Sequence, residues 1–324
     1  MCLLNNSCHT LAIIGNGFDL AHGFSTTYEE FASKTSAPSL EYFKSCCEDE
    51  SSITSWYLFE ENIQILTHRL FQQSFEEDVD YDNNRNKVSD LRNAFKDIHG
   101  LLIQYLRNET ESKPVKILPS VKRYLKPSTT AISFNYTKVA EAYTKDVIYV
   151  HGSLDENDIL LGYDYRDEPC LAQYVDMCWS KTICREALAF RRYLKEDLGL
   201  AADSPEYERL LSSLESYQES ENSGRGIDID PETYLPDFKF VDNFMKRYKD
   251  DRDIPEIDYE GITTIVVLGH GIEADQVYLK RILDKCSSLE SVVIYRYHKE
   301  KNLEFARKAD FFRPYCKDIH SILY

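Results

Sequence analysis

Leu11-Ala12-Ile13-Ile14-Gly15-Asn16-Gly17-Phe18-Asp19, continuing through Leu20 to Gly23, is the stretch that decides the fold. A short apolar run that halts at Gly-x-Gly and passes into a helix-capable segment reads as the first strand–turn–helix unit of a nucleotide-binding α/β protein. The strand is buried, the glycines let backbone N–H groups approach a phosphate, and the helix N-terminus adds partial positive charge. A dehydrogenase-type fingerprint places a third glycine three residues after the second. Here that position is Leu20, and the next glycine is Gly23, so the turn is of another kind. Taken alone, such a glycine pair can equally mark a tight turn between strand and helix.

Working outward, 324 residues with 43% hydrophobic and 29% charged content describe a globular chain of one or two domains. The balance of 38 basic against 55 acidic residues gives a net charge of −17. Repulsion at that charge disfavours an extended nucleic-acid interface or an anionic membrane surface, while leaving room for a small anionic ligand in a local pocket. Nine cysteines, with Cys46 and Cys47 adjacent and no Cys-x-x-Cys pair, make neither a zinc nor a disulfide framework. Free thiols in a reducing compartment are expected. The first residues, Met1 to Asn6, lack a basic region before an apolar one. No run approaches the roughly 18 apolar residues of a membrane span. The chain is therefore expected to be soluble and cytoplasmic.

Five short apolar or β-branched runs read as buried strands: Thr10–Ile14, Thr130–Phe134, Val147–Val150, Thr263–Leu268 and Ser291–Tyr295. With helical stretches between them, they predict an α/β architecture with a Rossmann-like parallel sheet. Two gaps are too long for one crossover helix, so the expected organisation is a single α/β domain over residues 1–324 with helical insertions at about 28–118 and 164–260. In the first, Trp56, Phe59, Ile63, Leu66 and Leu70, then Val88, Leu91, Phe95, Ile98, Leu102 and Tyr105, recur at helical spacing. Thr27 and Glu30 fit a capping box, and Glu76 to Arg85 reads as a charged loop. The second gap suggests helices around Leu171–Leu198, Pro205–Gln218 and Asp237–Lys249, with a polar, mobile stretch over Glu219–Asp230.

Three further motifs close predicted strands: Ser133-Phe134-Asn135-Tyr136-Thr137, Val150-His151-Gly152-Ser153, and Leu268-Gly269-His270-Gly271 followed by Glu273 and Asp275. Ligands of open α/β sheets bind outside the carboxyl ends of the strands, where all of these fall. Each has a plainer reading. Asn135 can be a turn former, His151 a turn histidine, Tyr136 a packing residue, Gly269 to Gly271 a helix start, and Asp275 a first-turn acid. Their occurrence together, in this order, is what points to a site.

Gly15 to Gly23, with Phe24 to Tyr28 behind it, resembles the opening of sirtuins, whose Gly-Ala-Gly-x-Ser-x-x-x-Gly loop holds NAD phosphates. Phe134-Asn135-Tyr136-Thr137 resembles the Asn-Tyr-Asp segment of sirtuin-like NAD hydrolases, and Val150-His151-Gly152 their catalytic His-Gly. With Gly269-His270-Gly271 and Asp275 added, the set is similar to the AbiH family of bacterial abortive-infection proteins. The resemblance covers the core strands and their loops, about a third of the chain. Two departures stand out: Asp19 occupies the sirtuin serine position, and Thr137 the aspartate position after Asn-Tyr. The two Cys-x-x-Cys pairs that hold structural zinc in sirtuin deacylases are missing, so zinc-dependent deacylation is not expected and no metal site is assigned.

The resemblance implies an antiphage effector that hydrolyses NAD, with NAD as substrate or ligand and no cofactor required. In that reading Asn135 orients the ribose or the water and His151 is the base. Gly15, Asn16 and Gly17 turn backbone N–H groups to the phosphates, and Asp275 or Glu273 holds the adenosine-side ribose. Asp19, Gly23, Tyr136, Gly152, Gly269 and His270 complete the candidate nucleotide contacts. Control would come from a homo-oligomer or from a phage-derived or partner-protein activator. The alternative is a nucleotide-binding sensor or regulatory module without turnover.

Overall fold

Residues of the central strands divide between two buried clusters. Leu11, Ile13, Ile132, Ile265, Val267, Val292 and Ile294 enter one; Ala12, Ile14, Ala131, Val266, Leu268, Val293 and Tyr295 enter the other. Successive strand residues point to opposite faces. A strand covered on both faces is therefore apolar at every position, which is why these segments read as unbroken runs.

The computed structural model of the protein describes residues 9–47, 53, 55–73, 81–154, 158–162, 181–222, 236–251, 254–296 and 302–323. In chain order the strands are β1 (His9–Ile14), β2 (Thr130–Ser133), β3 (Val147–Tyr149), β4 (Gly152–Ser153), β5 (Asp158–Ile159), β6 (Ile262–Leu268), β7 (Ser291–Arg296) and β8 (Asp318–Leu323). The helices are α1 (Asn16–Ala21), α2 (Tyr28–Lys34), α3 (Pro38–Cys46), α4 (Trp56–Gln73), α5 (Tyr81–Glu111), α6 (Pro119–Lys122), α7 (Lys181–Arg192), α8 (Pro205–Asn222), α9 (Pro236–Asp251), α10 (Gln276–Lys285) and α11 (Asn302–Phe312). The chain divides into two compact units, one of Met1–Phe31, Ile103–Ile159 and Asp253–Tyr324, the other of Ala32–Leu102 and Leu160–Arg252.

The first unit holds a six-stranded sheet in the order β3-β2-β1-β6-β7-β8, every neighbouring pair parallel. Leaving aside the short antiparallel pair β4–β5, the strands stand 3-2-1-4-5-6 in chain order, the doubly wound arrangement. The order reverses between β1 and β6, so their carboxyl ends, Ile14 and Leu268, flank the topological switch point. Leu279, Ile282 and Leu283 of α10 and Phe312 of α11 belong to the first buried cluster. Phe18 of α1, Val121 of α6, and Val139 and Ala140 of the single turn Val139–Ala142 belong to the second. A Rossmann-like parallel core is thus present as expected.

The sixth sheet strand, β8, was not expected from the sequence. Its pattern, Asp-Ile-His-Ser-Ile-Leu, carries exposed polar residues because it is the sheet edge, paired only with β7. At the start of α2, Thr27 Oγ1 accepts the N–H of Glu30 at 3.2 Å, as the capping pattern requires. The expected loop Glu76–Arg85 needs correction: α5 already begins at Tyr81, while residues 76–80 lie outside the described part. Likewise Glu219–Asn222 continue α8, and 223–230 lie outside it. The helix expected around Leu171–Leu198 is described from Lys181 and ends in a π turn over Tyr193–Asp197, with 171–180 outside.

The regular elements among the described residues of the second unit are helices. Phe190 and Leu194, then Tyr207, Leu210, Leu214 and Tyr217 of α8, then Val241 and Met245 of α9, share one buried cluster. Among the described residues no helix is long and apolar enough to cross a membrane.

Candidate site at the carboxyl edge of the sheet

Two Gly-x-Gly loops meet at the switch point. Gly15 N–H donates to Leu268 O at 3.0 Å and Gly17 N–H to Gly269 O at 2.9 Å. A Cβ on Gly15 would lie 2.6 Å from His270 Cα, and one on Gly17 2.8 Å from Gly269 Cα. Gly269, at φ +68°, would place a Cβ 2.1 Å from Phe18 N. These glycines are required because the loops after β1 and β6 pack backbone against backbone. The N–H groups of Gly15 and Gly17 were expected to face a phosphate; here both are spent on the β6 loop. Asn16 folds back, its Nδ2 donating to Thr26 O at 3.1 Å and its Oδ1 accepting from Thr26 Oγ1 at 2.5 Å. Gly23, at φ +85°, faces open space where a Cβ would sit.

Beneath that loop lies Asp19, 1% exposed. Asn135 Nδ2 donates to its Oδ1 at 3.0 Å, and Thr137 Oγ1 to its Oδ2 at 2.6 Å. Burial raises the Asp19 carboxyl from 3.8 to about 7, against the opposing pull of those two donors. Asn135 Nδ2 also donates to Gly15 O at 3.0 Å. Both amide hydrogens of Asn135 are thereby engaged, and what it can offer a ligand is its acceptor, Oδ1. Ser133, fully buried, accepts the N–H of Asn135 through Oγ at 3.2 Å and fixes the turn that carries it out of β2.

His151 follows β3, where Val150 N–H extends the ladder to Ser133 O at 2.9 Å. Gly152, at φ +75°, then turns the chain into the β4–β5 pair. Tyr136 is half-buried, and its carbonyl accepts the N–H of Leu154 at 3.0 Å. From the β6 side, Asp275 brings one oxygen to each of two imidazoles: Oδ1 is 3.1 Å from His151 Nε2, and Oδ2 is 3.3 Å from His270 Nε2. Burial alone would raise the Asp275 carboxyl, but charge interaction and hydrogen bonding with His151 and His270 outweigh it and hold the group well below the usual carboxylate range. Both histidines are 4% exposed. Asp275 was expected on a ribose, whereas its two oxygens here face imidazoles.

Phe134 joins these parts. Its ring centroid lies 4.4 Å from that of His270, 5.5 Å from His151 and 5.6 Å from Tyr278, in edge-on contacts that restrict each ring. Nothing in the sequence marks this role beyond an aromatic at a strand end. His22 was likewise not singled out. Its Nδ1 faces Phe18 O at 2.7 Å and its Nε2 faces Tyr143 Oη at 2.6 Å, while Tyr143 Oη accepts the N–H of Leu118 at 2.7 Å. That chain of bonds pins α1 to α6. Among the described residues no group of three or more His, Cys, Asp or Glu side chains is placed to hold a metal ion.

Asn135, His151, His270 and Asp275 thus emerge at one edge of one sheet. The family model described as Bacteriophage abortive infection AbiH matches the chain over residues 11–297, from β1 through β7 and including every residue of this site. No curated protein and no solved structure matches it. Because that match spans most of the chain, the protein belongs to the AbiH family of bacteriophage abortive infection.

Proposed function

We propose that this AbiH protein is an abortive-infection effector that cleaves the nicotinamide–ribose bond of NAD. The observation that carries the reading is the buried His151–Asp275 pair, at the same carboxyl edge of a doubly wound sheet as Asn135. The switch point is where nucleotides bind on sheets of this order, and an imidazole oriented by a carboxylate is a general base.

Cleavage at this bond passes through an oxocarbenium-like transition state, as glycoside hydrolysis does. Nicotinamide leaves as a neutral amide because it starts as a cation, so no acid is needed. Water adds to the anomeric carbon, the C–N bond electrons return to the pyridinium ring, and the water's proton passes to His151. The products are nicotinamide, ADP-ribose and a proton. Asn135 Oδ1 accepts from a ribose hydroxyl or from the water. Asp275, ionised between the imidazoles, stabilises His151 once it is charged. Asp19 holds the Asn135 amide from behind, and Thr137 completes that support. The hydroxyl and carboxylate of Thr137 and Asp19 stand in the opposite order to the serine and aspartate of the sirtuin loops they resemble.

Nicotinamide release by the purified protein, with and without lysate of phage-infected cells, tests the reading. Release that falls in His151→Ala and Asn135→Ala supports it. Equal release by wild type and both variants overturns the mechanism. Thermal stabilisation by ADP-ribose with no product under any condition would assign the chain to sensing instead.

A further inference from the structure

Asp275 serves two imidazoles at once, and the turn between β6 and α10 determines which proton each one gives it. His270 Nδ1 accepts the backbone N–H of Ile272 at 3.0 Å. A ring nitrogen that accepts a hydrogen bond carries no proton, so the neutral His270 ring holds its proton on Nε2. That nitrogen lies 3.3 Å from Asp275 Oδ2 and donates to it. The turn is enforced against backbone preference. Ile272 is 3% exposed and sits at φ 73°, ψ −47°, a positive-φ, γ-turn-like conformation rarely adopted by a β-branched residue. Asp275 N–H then bonds Ile272 O at 3.1 Å, which locks the acid to the same turn.

With Oδ2 taken by His270, Oδ1 faces His151 Nε2 at 3.1 Å. A carboxylate can only accept, so the proton of the neutral His151 ring is on Nε2. We infer that His270 is a positioning residue: through Asp275 it fixes the tautomer of His151, so that the basic nitrogen of the ring is Nδ1. That His151 acts as the base rests on the NAD reading above; the tautomer does not. A second imidazole on the same carboxylate also keeps Asp275 from rotating, which a His–Asp pair alone would permit.

Nitrogen NMR of the full chain, labelled with 15N-histidine, tests this near pH 8, above the ordinary imidazole pKa of about 6.5. Among the eight histidines, the signals of these two are identified by their loss in His151→Gln and His270→Gln. In the wild type, His151 and His270 should each show a protonated Nε2 and a bare Nδ1. His151 protonated on Nδ1 would overturn the inference without any activity measurement. His270→Gln, whose amide can still donate to Asp275, should keep the His151 tautomer; a folded His270→Gln protein with that tautomer changed also overturns it. His270→Leu should leave His151 exchanging between tautomers and lower kcat for nicotinamide release by roughly 10–100-fold, as loss of an orienting partner does, with His270→Gln recovering most of the rate. If His270→Leu does not fold, the wild-type and His270→Gln spectra still decide. A wild type that releases no nicotinamide removes the NAD reading and leaves the tautomer to the spectrum.

Discussion

Gly15-Asn16-Gly17 and Gly269-His270-Gly271 close neighbouring strands at the same edge of the same sheet, and they do opposite work. In the first loop the middle side chain folds back on Thr26, and the glycine N–H groups are spent on Leu268 O, at the end of β6, and Gly269 O, in the second loop. In the second, the middle side chain reaches Asp275 and, through it, His151. The spacing is shared, yet only one of the two central residues is joined to a group able to move a proton. A Gly-x-Gly is thus a statement about close approach of backbones until the partners of its middle residue are known. The first loop is the packing surface against which the second is aligned.

If that division holds, rate should reside on the His151 side and stability on the glycine side. The largest effect is expected from His151→Ala, which should lower nicotinamide release by roughly 10²–10⁴-fold while circular dichroism stays at the wild-type signal. A variant that retained full turnover would place the chemistry elsewhere. Gly269→Ala comes next. With a Cβ 2.1 Å from Phe18 N and a positive φ, the change should cost about 3 kcal/mol or more in urea denaturation. Gly23→Ala, in open space, should cost only about 1 kcal/mol. Equal costs at the two positions would break the picture of interlocked loops.

Asp19 gives a third, pH-dependent contrast. Its folded carboxyl is raised from 3.8 to about 7, so between those values the folded state holds a proton that the unfolded chain has released. Its contribution to stability is complete below the unfolded pKa and is lost as pH rises through about 7. Each tenfold change in proton affinity between the folded and unfolded chain is worth about 1.4 kcal/mol, so a loss on the order of 2–4 kcal/mol is expected across that window. Asp19→Asn should flatten this part of the stability profile, and an unchanged slope would mean that Asp19 is ionised throughout. Asp275 has the opposite sign: its lowered pKa contributes stability that is lost only in stronger acid. Asn16→Ala, which removes both bonds to Thr26, should cost about 1–2 kcal/mol.

Much of the core was legible because its signal is local. Leu11 to Ile14 and Ile265 to Leu268 are at most 1% exposed, and burial on both faces writes itself as an unbroken apolar run. The edge strand Asp318–Leu323 was missed for the converse reason, since a strand with one partner and much solvent keeps its polar residues. Asn135, His151, His270 and Asp275 could be picked out because polar residues directly after buried strands must lie at the carboxyl edge. Their partners could not: Asn135 and Asp19 are 116 residues apart, and His151 and Asp275 are 124. Ile272 carried no signal, because nothing in an isoleucine marks a positive φ.

The sequence by itself determined five of the six strands of the sheet, the glycines where backbones would have to approach, and the family to which this order of motifs belongs. Those features follow from hydrophobic periodicity and backbone sterics, both of which act over a few residues. Only the tertiary structure decided that β6 lies beside β1, that the opening glycines face a second loop, and that Asp275 stands between two imidazoles. Hydrogen-bond partners across more than a hundred residues depend on strand order and register, and no local pattern specifies those.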